Sequence, residues 1–153
     1  MARARRKTKT VIRNESEYPM TEVRRLIRFA FAELDLPPQV WATIVHTRLA
    51  GWRRTHQGGS KMYGASGWAR GREMRLCIGR PGDFPCSWYN RGYAGVHVPD
   101  LRDWRDALVA IAAHEGKHVE MFHMRCGRMT TREKEGRCDA YAASTLRRFQ
   151  EAS

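Results

Sequence analysis

Five consecutive residues, His114-Glu115-Gly116-Lys117-His118, bring together the side chains in this sequence that are best suited to chemistry. The two histidines are four positions apart, so on a helix they share a face and can direct two imidazoles at one metal ion. Imidazole nitrogen is a preferred ligand of Zn²⁺. Glu115 follows the first histidine and can hold a water molecule beside that metal. The motif therefore predicts a catalytic site with one Zn²⁺ per chain, which requires a third protein ligand and an open position.

Two helices are predicted to carry the site. The first begins after Asp100, which can cap it, and ends near Gly127. The second begins at Thr130, because Glu133 three residues later completes a capping box, and it continues to about Phe149. The short connection predicts that the two helices pack side by side in opposite directions.

Glu135 is the residue of the last helix best placed to be the third ligand. The motif helix rises roughly 12 Å from His118 to its end, and the last helix returns roughly 6 Å to Glu135. Antiparallel helices packed about 8–10 Å apart can thus bring these residues level. Asp139, one turn later, can accept a hydrogen bond from a ligand histidine and fix its tautomer. Glu133 is a rival ligand, but the acidic residue four positions after Glu135 favours Glu135.

Three further side chains are alternative ligands. A thiolate of Cys126 or Cys138 could replace Glu135, although a small packed residue is the preferred interpretation of Cys138. His123 lies five positions after His118 and therefore far round the helix. None of the four cysteines belongs to a C-x-x-C pair, so no zinc ribbon is expected.

Gly116 is unusual because it lies inside the predicted motif helix. Glycine at such a position costs about 1 kcal/mol relative to alanine. Its presence is explained if a neighbouring element approaches the helix backbone closely, and we expect such a contact.

The rest of the chain indicates one α+β domain over residues 18–153. Helical spacing of apolar residues predicts an N-terminal helix over about 21–34, and β-branched or alternating residues predict strands at 40–46 and 74–78. The glycine-rich segment 57–71 is predicted to be a loop. We therefore expect a small, mostly antiparallel sheet, preceded by one helix and followed by the motif helix and the C-terminal helix.

Charge is the strongest feature of the composition. Lys and Arg number 28 against 16 Asp and Glu, which gives a net charge of +12. Residues 1–17 contain six basic residues before the first acidic one and are predicted to form a disordered tail. This excess predicts DNA or RNA as a partner, although a basic surface without a specific partner is the simpler alternative.

Basic and aromatic residues of the tail and of the glycine-rich segment are candidates for contact with nucleic acid. An alternative for the segment is a long hairpin loop whose aromatic residues pack on the sheet. The candidates are Arg3, Arg5, Arg6, Lys7, Lys9, Lys61, Trp68, Arg70 and Arg72.

No apolar run approaches the length of a membrane span, and no apolar segment follows the basic N-terminus. We therefore expect a cytoplasmic protein with reduced cysteines, associated with nucleic acid and not with a membrane.

The succession H-E-x-x-H and then E-x-x-x-D on the next helix resembles the gluzincin class of zinc metallopeptidases. Residues 135–143, Glu-Gly-Arg-Cys-Asp-Ala-Tyr-Ala-Ala, are similar to the segment in which that class carries its third ligand and a supporting Asp. The short, basic, single-domain layout also resembles the minimal zincin and SprT-like groups, some of which act on DNA-associated proteins. The resemblance covers roughly the last third of the chain.

The resemblance implies a zincin-like fold and hydrolysis of peptide bonds. Glu115 would take a proton from the zinc-activated water and pass it to the leaving amine. An extended substrate could pair with the edge of the sheet. Tyr93, His97 and Tyr141 are candidates to stabilise the oxyanion, and proteins bound to nucleic acid are the implied substrates.

Two other functions stay open. A basic nucleic-acid-binding protein could use the zinc site only as a structural or vestigial feature, but such a site has no need of Glu115. A peptidase that cuts one cognate regulator could lack any nucleic-acid role, and its properties would then depend little on salt.

Overall fold

The computed structural model describes residues 7–46, 52–54, 60–62, 65–88 and 96–153. None of the helices in these ranges is both long and apolar enough to cross a bilayer. The elements are β1 (Lys9–Asn14), α1 (Met20–Phe31), β2 (Gln39–His46), β3 (Trp52–Arg54), β4 (Ser60–Met62), β5 (Ala65–Arg70), β6 (Glu73–Ile78), a 3-10 turn (Pro81–Asp83), α2 (Trp104–His123) and α3 (Thr131–Ala152). The predicted α+β class, with one N-terminal helix and two C-terminal helices, is confirmed.

The sheet has four strands in the order β1-β2-β6-β5, and β3 pairs separately with β4. β1 is parallel to β2, β2 is parallel to β6, and β5 is antiparallel to β6. The prediction of a mostly antiparallel sheet is therefore wrong. β1 and β2 are parallel because α1 connects them and so provides the crossover that a parallel pair requires.

β1 lies within the stretch that was predicted to be a disordered tail. Thr10 and Ile12 are partly buried, whereas Lys9 and Arg13 on the alternate positions are exposed. The basic residues hide this alternation in the sequence, since a block of cations usually remains solvated. The prediction is wrong for Lys9–Asn14, and residues 1–6 lie outside the described ranges.

α2 is the central element of the domain, because it packs against α1, α3, β5 and β6. The sheet presents alternating buried side chains to the helical layer, as the two-residue period of a strand requires. Those of β2 and β6 are Val40, Ala42, Ile44, Met74, Leu76 and Ile78.

The N-termini of α2 and α3 are both capped by side chains. Asp103 caps α2 by accepting hydrogen bonds from the backbone nitrogens of Arg105 and Asp106. The prediction that Asp100 caps this helix is therefore wrong by one turn. Thr130 and Glu133 form the predicted capping box of α3.

A buried carboxylate joins the start of α2 to the end of α3. Asp106 accepts hydrogen bonds from the backbone and guanidinium of Arg102 and from Nε2 of Gln150, at 2.8–3.0 Å. Burial raises the pKa of Asp106, but these hydrogen bonds outweigh it and hold the pKa below the ordinary value. This contact fixes the register of the two helices that carry the candidate site.

Gly116 lies where the end of α1 and the residues just after it pack closely on α2, as the sequence led us to expect. A Cβ atom at this position would lie 2.8 Å from Cδ1 of Leu34 and 2.8 Å from Cε1 of Phe31. Glycine therefore permits the packing of α1 against the motif helix.

Gly116→Ala is expected to lower the free energy of unfolding by about 1 kcal/mol. The gain in helix propensity is about 1 kcal/mol, but overpacking against the Phe31 ring costs about 1–3 kcal/mol. Chemical denaturation of the two proteins measures the difference.

Gly82→Ala is the matched control, because a Cβ there meets nothing within 4 Å. If Gly116→Ala were as stable as the Gly82→Ala protein, or more stable than the parent, the close contact with α1 would not limit this position.

Candidate metal centre

The two motif histidines lie in the C-terminal half of α2, on the side that packs against α3. His114 is buried and His118 is half-buried. Their ring centroids are 5.1 Å apart. The four-residue spacing thus places both imidazoles in one small volume, as expected for neighbours on one helix face.

Glu135 of α3 faces both imidazoles. Its Oε2 lies 3.1 Å from Nε2 of His114, and its Oε1 lies 3.0 Å from Nε2 of His118. Hydrogen bonds from the two histidines hold the pKa of this carboxyl well below its ordinary value. One carboxylate and two Nε2 atoms therefore converge on the same point between the helices.

Asp139 lies on the other side of the His114 ring. Its Oδ1 is 3.0 Å from Nδ1 of His114, although the angle does not allow a well-formed hydrogen bond. Burial lowers the pKa of His114, but Asp139, Glu135 and the charge of Glu115 outweigh it and raise the pKa to about 9. The ring is therefore held between two carboxylates, with Nε2 directed to Glu135.

Cys138 adds a thiol to the same group. One ligand atom each from His114, His118 and Cys138 lie within 4.8 Å of one another, so these residues could hold a metal ion. The thiol is fully buried, and its burial, with the nearby Glu135, Glu115 and Asp139, raises its pKa. Cys138 thus remains an alternative to Glu135 as the third metal ligand, whereas Cys126 is exposed.

Glu115 is buried between α2 and the edge strand β5. A Cβ atom at Gly67 would lie 3.2 Å from Cγ of Glu115 and 2.6 Å from the carbonyl oxygen of Arg75. Burial raises the pKa of Glu115, and His114 and His118 partly offset this rise. Gly67, which the sequence placed in a loop, therefore allows the edge strand to approach the motif.

A cavity of about 480 Å³ opens beside His118. The end of β5 forms one wall, and the last turns of α2, the connection after it and the start of α3 form the rest. Its lining includes Met121, Phe122, Arg125, Met129 and Lys134.

Other residues that the sequence suggested lie apart from this group. The hydroxyl of Tyr141 donates to the carbonyl oxygen of Ala30, at 2.7 Å. His97 is exposed, and its carbonyl oxygen accepts a hydrogen bond from Arg147. Glu133 belongs to the cap of α3, and His123 is exposed at the end of α2. Tyr93 lies outside the described residues.

Trp88 is a neighbour of the site that the sequence analysis missed. Its ring is 5.8 Å from that of His114, and the indole is buried. No spacing pattern connects a residue of an irregular segment with a helix that begins sixteen positions later.

The residues predicted to contact nucleic acid are spread over the first half of the chain. Lys7, Lys9, Trp68, Arg70 and Arg72 are exposed. Of Lys61 only the position in β4 is described, and Arg3, Arg5 and Arg6 lie outside the described residues.

No protein-family model matches the chain, and neither the curated proteins nor the solved structures contain a significant match.

The purified protein is expected to contain one zinc per chain, which both His118→Ala and Glu135→Ala lose on dialysis, because their side chains converge with His114. Asp139→Asn should weaken zinc binding by about 10- to 100-fold, as for partners that orient a ligand histidine. Elemental analysis and competition with a chelating dye measure these effects.

Cys138→Ala is the decisive comparison. We expect it to retain zinc, because the carboxylate contacts both imidazoles. Zinc lost from Cys138→Ala and retained by Glu135→Ala would instead establish two histidines and a thiolate as the ligands.

The chelator-treated protein is expected to lose stability between pH 6.5 and 9. His114 has its pKa raised from 6.5 to about 9, so its stabilising contribution is complete below pH 6.5 and disappears as the pH rises through 9. The loss should reach roughly 3 kcal/mol in urea unfolding.

Asp139→Asn should flatten this pH dependence, because it removes one carboxylate that raises the pKa of His114. A free energy of unfolding that is constant from pH 6.5 to 9 in the chelated parent protein would contradict the raised pKa of His114.

Proposed function

We propose that this protein is a zinc-dependent metallopeptidase that hydrolyses peptide bonds, related in its site to the gluzincin and SprT-like groups. The observation that carries the proposal is the convergence of His114, His118 and Glu135, with the Nε2–Oε distances of 3.0 and 3.1 Å, next to the buried carboxyl of Glu115. The motif supplies the two histidine donors and a base from one helix, and α3 supplies the carboxylate donor.

The donor set fits a catalytic zinc ion. Two imidazoles and one carboxylate are a ligand set of hydrolytic zinc sites, and His114, His118 and Glu135 would hold the ion. When bound, zinc supplies a Lewis acid that polarises a carbonyl group and acidifies water. The position of Asp139 at Nδ1 of His114 supports this assignment, because it leaves Nε2 for the metal.

Glu115 would act as the general base and then as the acid. Its burial raises its pKa, which suits a carboxylate that must accept a proton from water and afterwards deliver it to the leaving amine. Gly67 of β5 keeps the adjacent wall of the site free of a side chain, so that a substrate backbone can approach the base.

The edge strand suggests how a substrate would lie. β5 is the last strand of the sheet order, and it passes Glu115 at Gly67. An extended peptide could add to this edge by main-chain hydrogen bonds, which would bring its backbone past the motif. The cavity beside His118 would then receive one side chain, and its mixed lining favours an apolar side chain with an acidic or polar end.

A structural metal site is the second candidate. Cys138 could join His114, His118 and Glu135 as a fourth ligand, and a four-ligand site is closed to water. The protein would then bind nucleic acid without catalysing a reaction. Glu115 separates the two candidates, because only the peptidase requires its carboxylate.

Glu115→Gln is expected to retain zinc and to lower peptide hydrolysis by about 10²- to 10⁴-fold, since the amide cannot accept a proton from water. Cleavage of a proteome-derived peptide library, followed by mass spectrometry with and without chelator, measures this loss.

Glu151→Gln is the matched control, because this glutamate is exposed at the end of α3. It should cleave as the parent protein does. Chelator-sensitive cleavage that is equal in Glu115→Gln and the parent would refute the role of Glu115, and metal-bound parent protein without any cleavage would favour the structural site.

A further inference from the structure

The sheet has a second face, turned away from α2. Ala42, Ile44 and Leu76 are buried against the helices, so the residues between them in β2 and β6 point the other way. In β5, Gly67 meets α2 and Trp68 therefore lies on the second face. We call this surface the open face and define it by its exposed residues Lys9, Arg13, Trp41, Trp68, Arg70, Glu73 and Arg75.

Two tryptophans are exposed on the open face. Trp41 is 39% exposed and Trp68 is 46% exposed, whereas Trp88 and Trp104 are buried. Each indole keeps more than a third of its surface in water and so forgoes part of the free energy that full burial would supply. Two such residues on one face therefore indicate a surface that binds something.

The strand register fixes the arrangement of the two indoles. Trp41 is paired with Glu73 of β6, and Trp68 is paired with Arg75 of the same strand. The tryptophans thus lie on strands two apart and are offset by two residues along them, roughly 12 Å from each other. Glu73 and Arg75 both lie between them on β6.

The charge of the open face is mainly positive. Its seven residues include four basic ones and one acidic one. Within the described ranges, no ion pair within 4.0 Å involves Lys9, Arg70 or Arg75, and Arg13 pairs with Glu15 at 2.9 Å. Arg72, in the turn between β5 and β6, is also exposed and adds a further cation at this edge.

We propose that the open face binds single-stranded nucleic acid. Bases would stack on Trp41 and Trp68, and Arg75, Arg70 and Lys9 would contact the phosphates. Aromatic side chains among cations on an exposed sheet are suited to this ligand, because every unpaired base offers a π face and every linkage offers a negative charge. A duplex hides the base faces in its own stack and can use only the cations.

Charge decides between this ligand and a protein partner. The core of a protein–protein interface is depleted of charged residues, and lysine is among the rarest. On the open face, two charged residues, Glu73 and Arg75, lie between the two aromatic anchors, where such an interface would have apolar side chains. The net positive charge of the open face would instead attract a polyanion.

The ligand would not compete with the candidate metal centre. Gly67 and Trp68 are consecutive residues of β5, and they lie on opposite faces of the sheet. Nucleic acid on the open face and a metal ion beside α2 can therefore be bound at the same time, and the inference stands independently of the proposed peptidase activity.

The test uses the full chain and fluorescein-labelled oligonucleotides about 20 nucleotides long: oligo-dT, oligo-rU and a mixed-sequence duplex. The single strands should bind more tightly than the duplex and quench tryptophan fluorescence. Trp41→Ala and Trp68→Ala should each raise the Kd by about 5- to 150-fold, which corresponds to the stacking of one base. Binding of either single strand supports the proposal, and the tighter one identifies the preferred sugar.

Arg75→Ala should reduce the slope of log K against log salt by about 0.7, the value for one phosphate contact on a single strand. Arg132→Ala is the matched control, because Arg132 is exposed on α3, which packs against α2 on the other side of the sheet from the open face. This variant should leave the affinity within about twofold. Zinc content and melting temperature should be unchanged in the tryptophan variants, which separates a binding defect from misfolding.

Three results would overturn the proposal. The double variant Trp41→Ala, Trp68→Ala could bind single strands as tightly as the parent. The duplex could bind as tightly as the single strands. Ultracentrifugation could show a dimer that Trp41→Ala dissociates, with no oligonucleotide binding, which would make the open face a self-association surface.

Discussion

The packing of α2 against α3 is the interaction on which the candidate site depends. The motif supplies two imidazoles from α2, but the carboxylates that hold them, Glu135 and Asp139, belong to α3. Asp106 joins the helices at one end, and the capping box sets where α3 begins at the other. A shift of one residue along α3 would rotate Glu135 about 100° away from the histidines. The chemistry of the site is therefore set by helix register as much as by the motif itself.

Two glycines allow the rest of the domain to close around α2. Gly116 admits the side chains of Phe31, at the end of α1, and of Leu34 after it, and Gly67 admits the edge strand beside Glu115. Each glycine carries a conformational cost in the unfolded chain, which the surrounding packing has to offset. Their positions on two sides of one helix explain how a small domain can bury His114 and Glu115 together. Such burial is also the main cause of the raised pKa of Glu115.

Local patterns in the sequence were sufficient to predict the motif helix, α3 with its capping box, and the α+β class. They also predicted that Gly116 marks a close approach. They failed where the information is non-local: β1 was hidden in a basic segment, so α1 was not recognised as the crossover between parallel strands. Gly67 and Trp88 are further cases, because only the folded chain brings them to α2. Trp41 was predicted to be in a strand, but which face it occupies depends on the pairing with β6.

Because side chains alternate between the two faces of β5, insertions and deletions in the β5–β6 hairpin act differently from substitutions there. The turn between β5 and β6 contains Gly71 with a φ of +59°, and it sets the pairing of Gly67 with Leu76 and of Trp68 with Arg75. Removing or adding one residue in this hairpin would exchange the two faces of β5. The indole would then point at Glu115, and the glycine would be left on the opposite surface. Substitutions in the turn can be tolerated where the backbone permits them, whereas single-residue insertions and deletions would disable both surfaces at once.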